Sequence, residues 1–217
     1  DERYAYTEEW LTVVERMWAE DAPFDFKGAY FDLKGVKSDP KPYFGDRPML
    51  VSAGNSPVGR DFALRRADSV FMGTREIASL AAEIDAMRKI APGPRMFFGC
   101  GNLLCRPTRR EAEEFYHYIV HENGDWDAVD HALAMKAKGG ASSATLPTHT
   151  RERMIFASGT YPFVGSYDDV VETFRQMSDA GLDGLALGMV NYIDDLPAFR
   201  DEILPRMERL GLREPSV

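Results

Sequence analysis

From Pro48 onward the chain alternates short apolar runs with amphipathic helical stretches, an order that few architectures accept. PMLVSAG reads as a strand and PVGRDFALRRA as its helix. SVFMG is the next strand, followed by the helix REIASLAAEIDAMRKI, which stops at Pro92-Gly93-Pro94. RMFFGCGNLLCR and TRREAEEFYHYIV repeat the unit, and LDGLALGM with LPAFRDEILPRMERLG supplies a fourth. Before that fourth strand, SYDDVVETFRQMSDAG carries strong helix signals. Ser166 and Asp169 stand at capping-box spacing, Val170, Val171, Phe174 and Met177 form a buried stripe, and Gly181 closes the helix. Apolar strands separated by amphipathic helices are parallel strands of βαβ units, covered on both faces.

No dinucleotide-binding glycine fingerprint follows the first strand, which disfavours a Rossmann domain. Four strand–helix units in series suit half of a (β/α)8 TIM barrel, whose complete form takes about 250 residues. Four strands alone would leave two parallel edges open. The 217-residue chain also opens on DERYAYTEEW, with no initiator Met. The expectation is therefore an α/β fold in which residues 1–217 are the C-terminal part of a single TIM-barrel domain.

Ahead of the alternation, Trp10, Val13, Val14, Met17 and Trp18 recur at helical spacing and predict a helix over Thr7–Glu20. The Gly- and Pro-rich segment after it reads as an irregular connection with a short extended piece around Ala29–Leu33. WDAVDHALAMK looks like an extra helix. After it, residues 136–160 form a polar, small-residue insertion whose centre, KGGASSATLPTHTRER, carries Lys138, Arg151 and Arg153. A long polar loop at a barrel rim serves as a lid; the same composition also suits a plain excursion.

A net charge of −9 argues against nucleic acid, which needs a basic surface. No apolar run is long enough for a bilayer and no signal peptide opens the chain, so a soluble cytoplasmic protein is expected. Cys100 and Cys105 are an odd number of positions apart in one strand, face opposite ways and cannot pair.

The turn SAGNSPVG has more small and polar residues than a strand–helix connection requires. Asn55 or Ser56 is placed to cap the helix, with Pro57 at its first position and Gly59 near its free amides. Together with Gly54 they suit an anion at a helix N-terminus, on the side of a barrel where ligands bind. They suit a simple cap equally well. Arg3-Tyr4, just before the first helix, offers a cation and a phenol to the same phosphate or to a flat ring. Asn102, in the small-residue run GCGN, either points into space left for a bulky ligand or belongs to close packing. Tyr192 directly follows the last strand, where a barrel places a substrate-contacting group, or plugs the rim. His117 and His121 lie one helical turn apart, with Glu113 one turn earlier. They do not form H-E-x-x-H and read as solvated side chains, so no metal is expected.

Taken together, four stretches resemble the bacterial-luciferase-like flavin monooxygenases, in particular the alkanesulfonate, dimethylsulfone and pyrimidine monooxygenase group. They are DERYAYTEEWLTVVERMW, FDFKGAYF…DPKP, SAGNSPVGRDFALRRADSVF, and YPFVGSYDDVVETFRQMSDAGLDGLALGMVNYIDDLPAFRDEILPRM. The resemblance implies a cytoplasmic two-component enzyme. It would take FMN as FMNH2 from a separate NAD(P)H:flavin reductase, activate O2 as a flavin C4a-(hydro)peroxide, and oxygenate a small organosulfur or heterocyclic compound. It implies a homodimer or homotetramer. It also implies cofactor contacts at Arg3, Tyr4, Gly54, Asn55 and Ser56, with Ser56 at the phosphate, and active-site positions at Asn102 and Tyr192. Asn55 stands where the family has Ser. Cys100 and Asn102 stand where the alkanesulfonate enzymes carry Arg and His, which weakens the case for a sulfonate substrate. A deazaflavin-dependent oxidoreductase of the same fold and a non-catalytic flavin-binding half-barrel are the alternatives.

Overall fold

Glu2 opens the first helix, α1 (Glu2–Ala19), five residues ahead of the expected start. Thr7 resembles an N-cap in sequence, but its hydroxyl donates back to the Arg3 carbonyl at 2.7 Å, as mid-helix threonines do. Arg3 and Tyr4 therefore lie in the first turn of α1 rather than before it. The computed structural model describes residues 2–43, 45, 47–54, 56–74, 76–138 and 147–215. Leu11 and Val13 are the buried residues of α1, whereas Trp10, expected in the apolar stripe, is 49% exposed.

The chain divides into two compact units, Asp1–Val70 with Ile90–Arg95, and Phe71–Lys89 with Met96–Val217. In the first, the segment expected to be irregular is an antiparallel hairpin of β1 (Phe24–Lys27) and β2 (Asp32–Val36). The extended piece expected at Ala29–Leu33 instead begins at Asp32, because residues 29–31 turn to meet Glu9. The carboxylate of Glu9 accepts the amides of Ala29, Tyr30 and Phe31 at 2.8–3.2 Å. Next come β3 (Val51–Ser52), α2 (Pro57–Arg66) and β4 (Ser69–Phe71), with β3 parallel to β4. Asp68 sets this pairing: Leu50 donates to its carboxylate at 2.8 Å, and Arg47 grips it with two nitrogens at 2.6 and 2.8 Å. Ion pairs from Glu8 to Arg65 and from Glu15 to Arg66 tie α2 to α1.

The second unit is built on β5 (Met96–Arg106), preceded by α3 (Ile77–Ile90). After β5 come α4 (Arg109–His117), a π-helical turn over Tyr118–Glu122, α5 (Trp126–Lys138) and α6 (Thr148–Ala157). Then follow β6 (Tyr161–Ser166), α7 (Tyr167–Asp179) and β7 (Gly184–Met189). Last are α8 (Tyr192–Ala198), a second π turn at Phe199–Ile203 and α9 (Leu204–Arg209). β5 pairs in parallel with β6 from Gly101 to Arg106 and with β7 from Phe98 to Leu103.

β6 corrects the count of four: five parallel strands are present among the described residues. YPFVGS contains Pro and Gly, which mask a strand in sequence. Pro162 is tolerated opposite Asn102, and the capping box at Ser166 and Asp169 starts α7 at once. A second correction concerns the polar insertion. Its part after Pro147 is helical, because Phe156 and Ala157 bury themselves with Leu104, Ala112 and Val120. Residues 139–146, the core of the expected lid, lie outside the described residues, as does Asn55. Cys105 is buried and Cys100 partly exposed, both free, in keeping with their opposite faces.

Candidate functional site

Ser56 is the N-cap of α2, with extended backbone at φ −75° and ψ 159°, and Pro57 takes the first helical position. Its Oγ accepts the Gly59 amide at 3.1 Å, and its carbonyl accepts Arg60 N at 2.8 Å. A hydroxyl that accepts through its oxygen keeps its own hydrogen to donate. The first turn of α2 carries no acidic side chain, so the positive end of the helix dipole is not neutralised there.

The two glycines of the turn have a specific reason. A Cβ on Gly54 would overlap the backbone of Gly59, carbonyl oxygen included. One on Gly59 would overlap the Tyr4 hydroxyl and stand 2.9 Å from the Gly54 Cα and 3.1 Å from Ser56 Oγ. Tyr4 is half-buried, tilted against Phe62 with ring centroids 5.5 Å apart. Gly54, Ser56, Gly59 and the Tyr4 hydroxyl therefore converge in one close-packed turn with no room for a side chain at either glycine. A hydroxyl donor, a phenol, a bare backbone and a helix N-terminus fit a phosphate monoester. Arg3, exposed in the first turn of α1, makes no side-chain hydrogen bond or ion pair among the described residues. A groove of about 700 Å³ runs past Tyr4 and Val58, but Glu8 and Glu9 line it, so its wall is unsuited to an anion.

In the second unit, Tyr192 is the first residue of α8 and 53% exposed. Its turn is firmly set. Asn191 caps α8 by accepting from Ile193 N at 3.1 Å, and Asn191 N donates to Asp195 Oδ2 at 3.0 Å. Arg106, the last residue of β5, donates to Asp195 Oδ1 at 3.0 Å and lies over the Phe115 ring at 4.5 Å. Arg106 and Asp195 were missed in sequence; the N-Y-I-D-D spacing, with acids in a helix's first turn, was the available signal. Asn102, in the middle of β5, donates from Nδ2 to the Phe156 carbonyl at 2.7 Å. Thus Tyr4, Gly54 and Ser56 come together in one unit, whereas Asn102 and Tyr192 belong to the other.

His117 lies 3.3 Å from Glu122 and His121 3.5 Å from Glu152, with their rings 4.9 Å apart. Among the described residues, no group of three or more His, Cys, Asp or Glu side chains is placed to hold a metal. No helix among them is long and apolar enough to cross a membrane.

Comparison with known proteins identifies the family and the fold. The family model described as luciferase-like monooxygenase matches residues 1–184. The chain is 24% identical over 226 residues to the FMNH2-dependent dimethylsulfone monooxygenase of Pseudomonas fluorescens (strain Pf0-1), covering 100% of this chain and 61% of that protein. It is 26% identical over 225 residues to pyrimidine monooxygenase RutA of Bradyrhizobium sp., covering 97% of this chain and 60% of that protein. The crystal structure of DmoA from Hyphomicrobium sulfonivorans superposes with a TM-score of 0.82 at 21% identity, over 100% of this chain and 57% of that one. The chain thus spans about three fifths of the length of these relatives, and its fold is of the TIM-barrel-like, luciferase-like kind.

Proposed function

The chain belongs to the luciferase-like monooxygenase family, and from that membership we propose that it works as a flavin-dependent monooxygenase. In this reading a separate NAD(P)H:flavin reductase supplies FMNH2, and the substrate is a small organosulfur or heterocyclic compound. The names of the relatives, dimethylsulfone and pyrimidine monooxygenases, support that range. The chain supplies the C-terminal part of a single barrel domain. Bound reduced FMN would supply the electrons with which O2 gives one oxygen atom to substrate and one to water.

The residues present have their own tasks. Ser56 donates its hydroxyl hydrogen to the phosphate, and the N-terminus of α2 adds its dipole. Gly54 and Gly59 let the turn close tightly and bring the Tyr4 hydroxyl up to Ser56, and Arg3 supplies a cation from the first turn of α1. Tyr192, held by the Asn191–Asp195–Arg106 chain, presents a phenol at the end of β7. The single observation carrying the reading is the convergence of Gly54, Ser56, Gly59 and Tyr4 within a chain of this family.

Anaerobic titration with FMNH2 tests it. One hydrogen bond to a charged group is worth roughly 1.5–3 kcal/mol, so Ser56→Ala should raise the dissociation constant about ten- to hundredfold. Ser166→Ala removes an equivalent cap from α7, costing about 1 kcal/mol of stability, and should leave flavin affinity alone. Equal effects of the two variants would reduce Ser56 to a cap. Tight deazaflavin binding without FMNH2 binding would overturn the choice of cofactor.

A further inference from the structure

We propose that Asn102 is a positioning residue, whose carboxamide clasps helix α6 to the β5–β7 pair and thereby keeps water from the reaction. Both ends of the carboxamide are committed. Nδ2 donates to the Phe156 carbonyl at 2.7 Å. Oδ1 fills the space over Gly188, where a Cβ would meet it at 2.5 Å. Gly188 is the residue directly opposite Asn102 in the β5–β7 register. The glycine is therefore accounted for by the amide that rests on it.

The receiving carbonyl belongs to the last turn of α6, where carbonyls have no partner within the helix. Ser158 ends α6 at φ +50° and Gly159 follows at φ +84°, with Gly159 N bonding back to Arg153 O at 3.0 Å. Thr160 N takes the Ala157 carbonyl at 2.8 Å. Phe156 O is left for a donor from outside the helix, and Asn102 provides it beside the buried Phe156 ring.

α6 also makes ion pairs, Arg151 with Asp130, Glu152 with His121, and Arg153 with Glu76 at 3.0 Å. Exposed pairs of that kind hold little. The clasp, with the buried Phe156 and Ala157, sets where α6 lies, and α6 carries Arg153 to Glu76 and over the Tyr161 ring. A helix fixed this way spans from mid-β5 to the segment that follows β4. If it loosens, water enters, and FMNH2 and O2 go to FMN and H2O2 instead of oxygenating the substrate. Only this last step rests on the proposed function.

Two variants test the clasp from opposite elements. Asn102→Asp keeps the shape but removes the donor, and Gly188→Ala places a methyl group where Oδ1 lies. In flavin-free protein, amide hydrogen exchange in α6 should speed up about tenfold in both, with α7 unchanged as an internal control. Unchanged α6 exchange overturns the clasp. With reductase, FMNH2, O2 and dimethylsulfone or uracil as probe, both variants should divert more of the reduced flavin to H2O2 while flavin affinity holds. Faster α6 exchange without extra H2O2 overturns the role in the reaction and leaves the clasp standing. A wild-type protein that binds no FMNH2 overturns the functional reading, and the exchange data still decide the clasp.

Discussion

At position 59 the difference between a hydrogen and a methyl group decides whether the Tyr4 hydroxyl keeps its place. Gly59→Ala should overpack the turn, costing about 1–3 kcal/mol, because the nearest atoms include the Gly54 backbone, which cannot swing aside. Thermal denaturation should show the loss. FMNH2 affinity should fall with it, since Tyr4 and Ser56 both move; a stable variant with unchanged affinity would place the phosphate elsewhere. The cap itself was legible in sequence, because Ser-Pro at a helix start is a local rule. The reason for Gly59 was not, because its neighbour Tyr4 lies far back along the chain, on another helix. Cys105 shows the same limit. Alternation predicts its face, but only the packed structure shows that burial pushes its thiol up to about 11. A thiol-directed alkylating reagent near pH 8 should therefore modify the more exposed Cys100 first. Faster loss of Cys105 would mean that β5 opens readily.

Elements were legible where one local signal dominates and illegible where a distant partner does. The capping box of α7 and its buried stripe are local, and both stand as read. The β1–β2 hairpin was hidden because what orders its turn is Glu9, on α1. Burial works to raise the pKa of that carboxyl, but the amides of Phe31, Tyr30 and Ala29 outweigh it and hold it below the ordinary value. β6 was hidden by its Pro and Gly, and α6 by a polar face that covers a buried Phe156. Glu9→Gln keeps the size but halves the acceptors, so the amides of residues 29–31 should exchange faster while those of α1 stay protected. In the unchanged protein the same loosening should appear on acidification. A depressed carboxylate stabilises above its unfolded pKa, and that contribution is lost as pH falls through the folded value. Protection of residues 29–31 that is insensitive to both changes would show that the hairpin stands without Glu9.

Over the whole molecule, the same sign recurs at many carboxylates and gives the protein a predictable acid limit. Hydrogen bonds from Arg16, Lys37, Arg47, Arg175 and Arg200 hold Glu20, Asp39, Asp68, Glu172 and Asp201 below their ordinary values, Glu172 down to about 2. The Gly35 amide and the Ser166 hydroxyl do the same for Asp25 and Asp169. Each binds fewer protons folded than unfolded across its window, so each contribution is complete above about pH 5 and disappears between roughly pH 4 and 2. Opposing this, a net charge of −9 at neutral pH is self-repulsive, and that strain eases as protons are added. The two effects occupy different ranges: repulsion relaxes first, and the paired carboxylates are lost last. The urea midpoint should therefore stay level or rise slightly from pH 8 to about 5 and then drop steeply below about 4. Most of these pairs are exposed, so added salt should shrink the acid step. Asp68→Asn, which breaks the Arg47 grip and the β3–β4 start, should lower the midpoint at pH 7 and narrow its gap from the unchanged protein at pH 3. A midpoint that falls between pH 8 and 6 instead would assign the lost stability to groups other than these carboxylates.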